Sequence, residues 1–371
     1  MFRPCDNTAR MEALIAGRKL SEFRRRLLAW YRSHRRELPW RESRDPYPVW
    51  IAEIMLQQTR IAAVLPYYDR FLEHFPTVQS LARARQEKVL RLWSGLGYYS
   101  RARNLHRAAK EIVGRHGGNF PRDLDSALAL PGIGRYTAAA VLSIAYDVPL
   151  AVLDGNVARV LARLAAVRGD LRSPRRWEQL ADLAQQLLAA RAAGDWNQAL
   201  MELGETQCTS LAPRCGDCPV ARFCRARARN LTAQIPAPRR KRAPVHIRIA
   251  AAILRDPQGR TILVRDPGAH DGVLFSRMWQ FPAVGVAREP KTELESHLRE
   301  ILKLDSMPLH LEALPAARHG VTFRNITLLP FLAHVSRLPK RPRTRILPLA
   351  HLGSVPVSSA TRKIAAAALQ S

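Results

Sequence analysis

Between about residues 20 and 230 apolar side chains recur every three or four positions, the spacing of one buried helix face. Ser21-Glu22-Phe23 opens the first such segment, with Phe23, Leu27, Trp30 or Tyr31, and His34 along one stripe. Further helical stretches are predicted over 49–59, 61–74, 86–94, 99–116, 135–146, 154–167, 175–192 and 195–207. Turn signals separate them, among them Pro48, Pro66, Pro76, Gly95–Gly97, Gly117-Gly118, Pro131-Gly132, Asp154-Gly155 and Ser173-Pro174. From Arg225 to Pro244 the periodicity fails. That stretch has seven basic residues, three prolines and no acidic residue, and reads as a linker, either laid along phosphate or simply solvated. Beyond it, 245–255 and 260–265 are short and β-branched around the turn Asp256-Pro257-Gln258-Gly259, 325–335 reads as another strand, and 291–303 as a helix. The expected organisation is a 1–20 extension, an all-α domain over 21–230, a basic linker over 231–244, a smaller α/β domain over 245–355 and a 356–371 tail.

A length of 371 residues accommodates two or three cores. No apolar run reaches the ~20 residues of a membrane-spanning helix, and the N-terminus has no signal-peptide pattern. A cytoplasmic protein is expected, nucleoid-associated if the source is bacterial. The formal charge of +28, from 59 basic and 31 acidic residues, favours a polyanionic partner. Only eight basic residues are Lys, so an Arg- and Ala-rich coding bias supplies an alternative source for part of the excess. Nothing demands more than a monomer.

Cys208, Cys215, Cys218 and Cys224 fall within one short loop, while Cys5 stands alone. Four thiolates can enclose an iron–sulfur cluster. Structural zinc is the rival, although it usually takes two separated pairs. Leu130-Pro131-Gly132-Ile133-Gly134 leads into an apolar helix, and Gly132 and Gly134 let backbone approach a phosphate, or merely close a tight helix connection. Asp154, in Val152-Leu153-Asp154-Gly155-Asn156-Val157, is on its face an ordinary helix cap. Glu53 sits amid apolar neighbours, where burial would keep it protonated, although a surface carboxylate is the commoner case. Gln57, Gln58 and Thr59 end that helix with side chains suited to base edges or to a gap in a stack.

Taken together these motifs resemble the helix–hairpin–helix superfamily of base-excision glycosylases, and within it the adenine DNA glycosylases of the MutY type. Leu38-Pro39-Trp40-Arg41, Met55-Leu56-Gln57-Gln58-Thr59 and Gly95-Leu96-Gly97-Tyr98-Tyr99-Ser100-Arg101 match in order. The match is close over 20–230 and loose beyond. The resemblance implies one [4Fe-4S] cluster on the four cysteines, and double-stranded DNA with an adenine mispair as partner. It implies that Glu53 protonates adenine and helps activate water, that Asp154 stabilises the charge developing on the deoxyribose, and that Tyr136 and Asn156 orient these groups. Trp40, Arg41, Leu56, Gln57, Gln58, Thr59, Tyr98, Gly132 and Gly134 are the implied DNA contacts, with Gln58, Thr59 and Tyr98 filling or wedging the stack.

Glycosylases that also cut the strand carry a Lys nucleophile just after the hairpin. Here that place is Tyr136, and no Lys lies between Lys110 and Lys241, so hydrolysis without a lyase step is expected. Met278-Trp279-Gln280-Phe281-Pro282 resembles the signature of a Nudix-like domain that recognises 8-oxoguanine. No row of glutamates follows, so no pyrophosphatase activity is expected. The family's Phe-Ser-His loop corresponds to Val321-Thr322-Phe323, in which Thr322 keeps a hydroxyl and the His is missing, implying altered discrimination. The alternatives are an endonuclease-III-like enzyme for oxidised pyrimidines, a non-catalytic DNA-binding protein and a zinc module. The sequence names no repair-protein partner.

Overall fold

Asp45 and Pro46 show how local chemistry starts these helices: the Asp45 carboxylate accepts the Tyr47 N–H at 2.9 Å, and Pro46 supplies a first residue that needs no donor. In this computed structural model, residues 15, 17–237, 243–265, 278–304, 309–321 and 323–369 are described. The helices are α1 (Arg18–His34), α2 (Pro46–Leu56), α3 (Ile61–His74), α4 (Val78–Arg83), α5 (Gln86–Trp93), α6 (Tyr99–Arg115), α7 (Leu124–Leu128), α8 (Arg135–Tyr146), α9 (Gly155–Ala165), α10 (Pro174–Leu187), α11 (Ala193–Thr206) and the single turn α12 (Arg225–Ala228). The strands are β1 (Val245–Arg255), β2 (Arg260–Arg265), β3 (Trp279–Gln280), β4 (Ala283–Gly285), β5 (Glu312–Ala313), β6 (Ala317–Val321), β7 (Arg324–His334) and β8 (Thr344–Pro348). Helix α13 (Pro290–Leu302) precedes β5, and α14 (Ser359–Leu369) ends the described chain.

Two compact units emerge: Met1–Arg83 with Asn104–Arg240, and Ala84–Arg103 with Lys241–Ser371. Residues 84–103, expected within the helical domain, therefore group with the α/β unit. The reason is side-chain partnership: Trp279 Nε1 donates to Glu87 at 3.1 Å, Arg345 pairs with Glu87 at 2.5 Å, and Ser94 Oγ donates to the Val357 carbonyl at 2.5 Å. The expected linker is likewise partly packed, because Ile235 is fully buried and its carbonyl accepts from Arg163 at 2.7 Å.

In the helical unit α11 is central, with Trp196 against Phe23 at 5.6 Å. Two glycines set its depth. A Cβ on Gly194 would lie 2.7 Å from the Ser143 carbonyl on α8, and one on Gly204 would lie 2.9 Å from Asn156 on α9. Helices α2 and α8 are buried nearly all round, as central helices are.

In the second unit β1 lies beside β2 and β7, parallel to β7 from Val245↔Arg324 to Arg255↔His334 and antiparallel to β2. Both faces of β1 are buried, which its near-continuous apolar run anticipates. Ala250, Ala252 and Leu254 meet Leu294, Leu298 and Leu302 of α13, whereas Ala251 and Ile253 share a core with Ala360, Ile364 and Ala365 of α14. The expected tail is thus a helix that covers one face of the sheet.

Candidate active site

Helix α2 carries Glu53 into the interior because Val49 to Met55 are all buried. Glu53 is 5% exposed, and its Oε2 has no hydrogen-bond partner. Burial pushes its carboxyl up to about 7; the Tyr136 hydroxyl beside it pulls the other way, Asp154 adds to the rise, and Arg41 opposes it. A carboxyl in that state can both give and take a proton near neutrality. The helix ends at Leu56 rather than continuing to 59. Gln57 turns out of helical geometry, Gln58 takes a left-handed φ of 56°, and Thr59 N–H closes on the Leu56 carbonyl at 3.1 Å. Gln58 is exposed there, whereas Gln57 Nε2 donates to Thr137 Oγ1 at 3.1 Å.

Helices α7 and α8 flank the hairpin. Gly132 has φ +79°, and a Cβ on it would sit 2.6 Å from Asn104, so glycine is required twice over. Gly134 caps α8 with open space around it. Tyr136, one residue into α8, donates to Met201 Sδ at 3.3 Å. Burial raises its pKa well above the usual value, and Glu53 and Asp154 add to that, so the phenol keeps its proton.

Asp154 caps α9, accepting the Val157 N–H at 2.7 Å. Burial raises its pKa, against the Val157 and Asn156 backbone donors that favour the carboxylate. The cap expected from the sequence is present, and the same carboxylate lines the cleft. Asn156 Oδ1 accepts from Arg159 at 3.0 Å, and Arg159 also donates to the Gly204 and Cys208 carbonyls at 2.7 and 2.9 Å.

These groups meet in one cleft of about 490 Å³. Glu53, Leu56, Gln57, Gln58, Thr59, Tyr136, Asp154 and Asn156 line it, as do Trp40 and Arg41. The last two reach the cleft from buried positions. Trp40 is buried edge-on against Tyr68 at 5.2 Å. Arg41 donates to buried Glu202 at 2.8 Å, a carboxylate that Arg36 also grips at 2.7 and 2.9 Å. Despite burial, which works against it, this pairing holds the Glu202 pKa below its usual value. Glu202, Gln198 and Glu205 were missed in the sequence. Gln198 and Glu205 line the cleft, and α11 shows only a buried-helix pattern. Tyr98 belongs to the second unit, 41% exposed on a left-handed backbone. Thr322 lies outside the described residues; Val321 and Phe323 stand at the turn between β6 and β7.

The four cysteines are unpaired, half-buried and line one small cavity with Arg163 and Arg227. Burial pushes the Cys218 thiol up to about 12 and raises Cys224, while backbone donors at Val220, Arg227 and Ala226 favour the thiolates. Arg163 is buried and ties the loop to α9, donating to Cys208 Sγ at 3.3 Å and to the Thr209 and Ser210 carbonyls at 2.6 and 3.1 Å. Among the described residues no three His, Cys, Asp or Glu side chains gather closely enough to hold a single metal ion.

The pattern of the HhH-GPD superfamily of base excision DNA repair proteins matches residues 51–186. The chain is 38% identical over 330 residues to an adenine DNA glycosylase of Rattus norvegicus, covering 76% of this chain and 64% of the rat protein. It is 47% identical over 220 residues to an adenine DNA glycosylase of Homo sapiens, covering 57% of this chain and 40% of that one. It thus spans less than two thirds of either relative's length. Among solved structures, a thermostable thymine-DNA glycosylase superposes with a TM-score of 0.52 at 27% identity, covering 60% of this chain and 100% of its own.

Proposed function

Since residues 51–186 match the HhH-GPD superfamily of base excision DNA repair proteins and the chain is similar to adenine DNA glycosylases, we propose that it hydrolyses the N-glycosidic bond of adenine mispaired with 8-oxoguanine or guanine in double-stranded DNA. The observation that carries this reading is Glu53, a buried carboxyl with an unpartnered oxygen and a pKa near 7, in the same cleft as Asp154. Adenine is a poor leaving group until protonated. Glu53 gives its proton to the departing base, which takes the bonding electrons with it. The Asp154 carboxylate faces the positive charge left on the deoxyribose. Glu53, now ionised, takes a proton from the water that adds to the sugar carbon, so the acid is restored. Tyr136, held neutral, and Asn156 position the two carboxyls. Among the described residues no Lys lines the cleft, which supports hydrolysis without a covalent amine intermediate.

We further infer that Cys208, Cys215, Cys218 and Cys224 hold one [4Fe-4S] cluster. Four thiols on one cavity, with backbone N–H donors at Cys218 and Cys224, fit a cluster that takes four Cys ligands. The cluster would supply a cross-link for the loop, with all four positions filled by protein. The α/β unit is assigned a Nudix-like role in reading the base opposite adenine, beside Val321 at the end of β6. No described helix is long and apolar enough to cross a membrane.

The test is single-turnover cleavage of duplexes with adenine opposite 8-oxoguanine, alongside Glu53→Gln and Asp154→Asn. Alkali-dependent breaks at adenine in the unsubstituted chain alone support the reading. Release of thymine opposite guanine, or of oxidised pyrimidines, in place of adenine would reassign the substrate.

A further inference from the structure

The Gly95–Tyr98 loop is a built object. Trp93 Nε1 donates to the Gly97 carbonyl at 3.1 Å, and the Leu96 N–H donates to the Trp93 carbonyl at 3.1 Å. The Arg101 guanidinium lies 5.2 Å from the Tyr98 ring and 5.5 Å from the Trp93 ring. Gly95, Gly97 and Tyr98 all take positive φ, at 118°, 72° and 47°. A tyrosine forced left-handed and left exposed marks a place where structure sustains strain for use.

What fixes the base of this loop comes from the far end of the chain. Ser94, 1% exposed, ends α5 and starts the loop. Its hydroxyl donates to the Val357 carbonyl at 2.5 Å and accepts from Arg362 at 2.9 Å, while Arg362 also reaches the Ser94 carbonyl at 3.3 Å. The Tyr99 hydroxyl donates to the same Val357 carbonyl at 3.3 Å. Arg362 lies on α14, which Ser358 caps through the Thr361 N–H at 3.0 Å and which Ala360, Ile364, Ala365 and Ala368 seat on the sheet. The next residue, Lys363, donates to the Arg318 carbonyl on β6 at 2.6 Å. Strand β6 runs through His319 and Gly320 to Val321, at the turn into β7.

We propose that α14 is a positioning element for mispair recognition: Arg362 holds the Tyr98 loop through Ser94, and Lys363 holds the strand leading into the β6–β7 turn. Two loops remote in sequence are then set by adjacent residues of one rigid helix. A rotation of α14 would shift both. This rests on the proposed reading, in which Tyr98 probes the stack and the β6–β7 turn meets the opposite base.

The test uses the full chain and mispaired duplexes carrying 2-aminopurine beside the adenine, whose fluorescence rises on unstacking. The chain as it stands raises the signal and Tyr98→Ala does not. Arg362→Ala is expected to reduce the rise about tenfold, the scale of a lost charge-assisted hydrogen bond, with unchanged affinity for fully paired duplex. Arg362→Lys restores most of it, and Arg362→Ala adds nothing in a Tyr98→Ala background. Ser94→Ala should reproduce the loss, and stands in should Arg362→Ala fail to fold. Lys363→Ala leaves the rise intact and narrows the affinity gap between duplexes with 8-oxoguanine and with guanine opposite adenine. A full rise in both Arg362→Ala and Ser94→Ala, or equal effects with and without Tyr98, overturns the role of Arg362; an unchanged affinity gap overturns that of Lys363. Adenine release on the same duplexes is scored separately. A chain that unstacks through Arg362 and Tyr98 but frees no adenine would lose its proposed substrate and keep this positioning role.

Discussion

A carboxyl that keeps its proton near neutrality does so against the fold, and Glu53 makes that conflict measurable. Unfolded, the group titrates at its ordinary 4.5; folded, it titrates at about 7 because it is buried. The folded chain therefore holds a proton that the unfolded chain has released between those values. Stability falls through that window by ~1.4 kcal/mol per pH unit, about 3 kcal/mol in all, and changes no further above it. Glu53→Gln removes the ionisable group, so it should melt at a higher temperature than the parent at pH ~7.5, with most of the gap closed by pH ~5; calorimetry at both values checks this. Adenine release should fall as pH rises through about 7, where the acid form is lost, and a rate flat from pH ~6 to ~9 would separate Glu53 from proton donation. Glu53, Tyr136 and Asp154 were legible in the sequence because each stands in a local motif. The pairing of Arg41 with Glu202 was not, since the two lie 161 residues apart and the resemblance named Arg41 only as a DNA contact. Glu202→Ala should lower stability by about 3–5 kcal/mol, the scale for unpairing a buried charge, seen as an earlier denaturant midpoint.

Periodicity located the long helices because burial on one face repeats every turn, and it misplaced their ends where single residues override it. Asp45 starts α2 before the apolar run, and the left-handed Gln58 stops it short. Strands such as Trp279–Gln280 and Glu312–Ala313 are too short to show alternation. Helix α14 was read as a tail because alanine, which makes up much of its buried face, gives a weak apolar signal. The depth of α11 was also invisible, because Gly194 and Gly204 look like ordinary helix glycines until the neighbours are known. They should fail differently. Gly194→Ala drives a Cβ into the backbone of Ser143 and Ile144, at 2.7 and 2.9 Å, and should lower stability by about 1–3 kcal/mol in thermal unfolding. Gly204→Ala presses on Asn156, two residues past Asp154, so its signature should be an adenine-release rate slowed about tenfold or more. Equal rates for Gly204→Ala and the parent would mean that the first turn of α9 yields without moving the carboxylate.

At the scale of the whole chain, the residues that decide the division into units are the ones sequence reading handles worst, because their partners are remote. The stretch 84–103 has a helical pattern on both sides and was expected to stay with its neighbours. Glu87 instead binds Trp279 and Arg345, and Ser94 binds Val357 and Arg362, through contacts that span 192 to 268 positions. Loop-closure entropy grows only slowly with such separations, so a folded α/β unit can hold an element drawn from the middle of the chain. A chain cut after residue 237, inside the stretch whose composition reads as a linker, should therefore keep its cysteine loop and cleft but lose the order of 84–103. Amide exchange in that stretch is expected to accelerate by orders of magnitude relative to the full chain, while α8 and α11 change little. Tyr98 would then be presented on an untethered loop, and unstacking should vanish even where binding to paired DNA persists. Exchange in 84–103 that matched the full chain would return this stretch to the helical unit and leave the contacts of Glu87 and Ser94 as accessories to a loop that is already set.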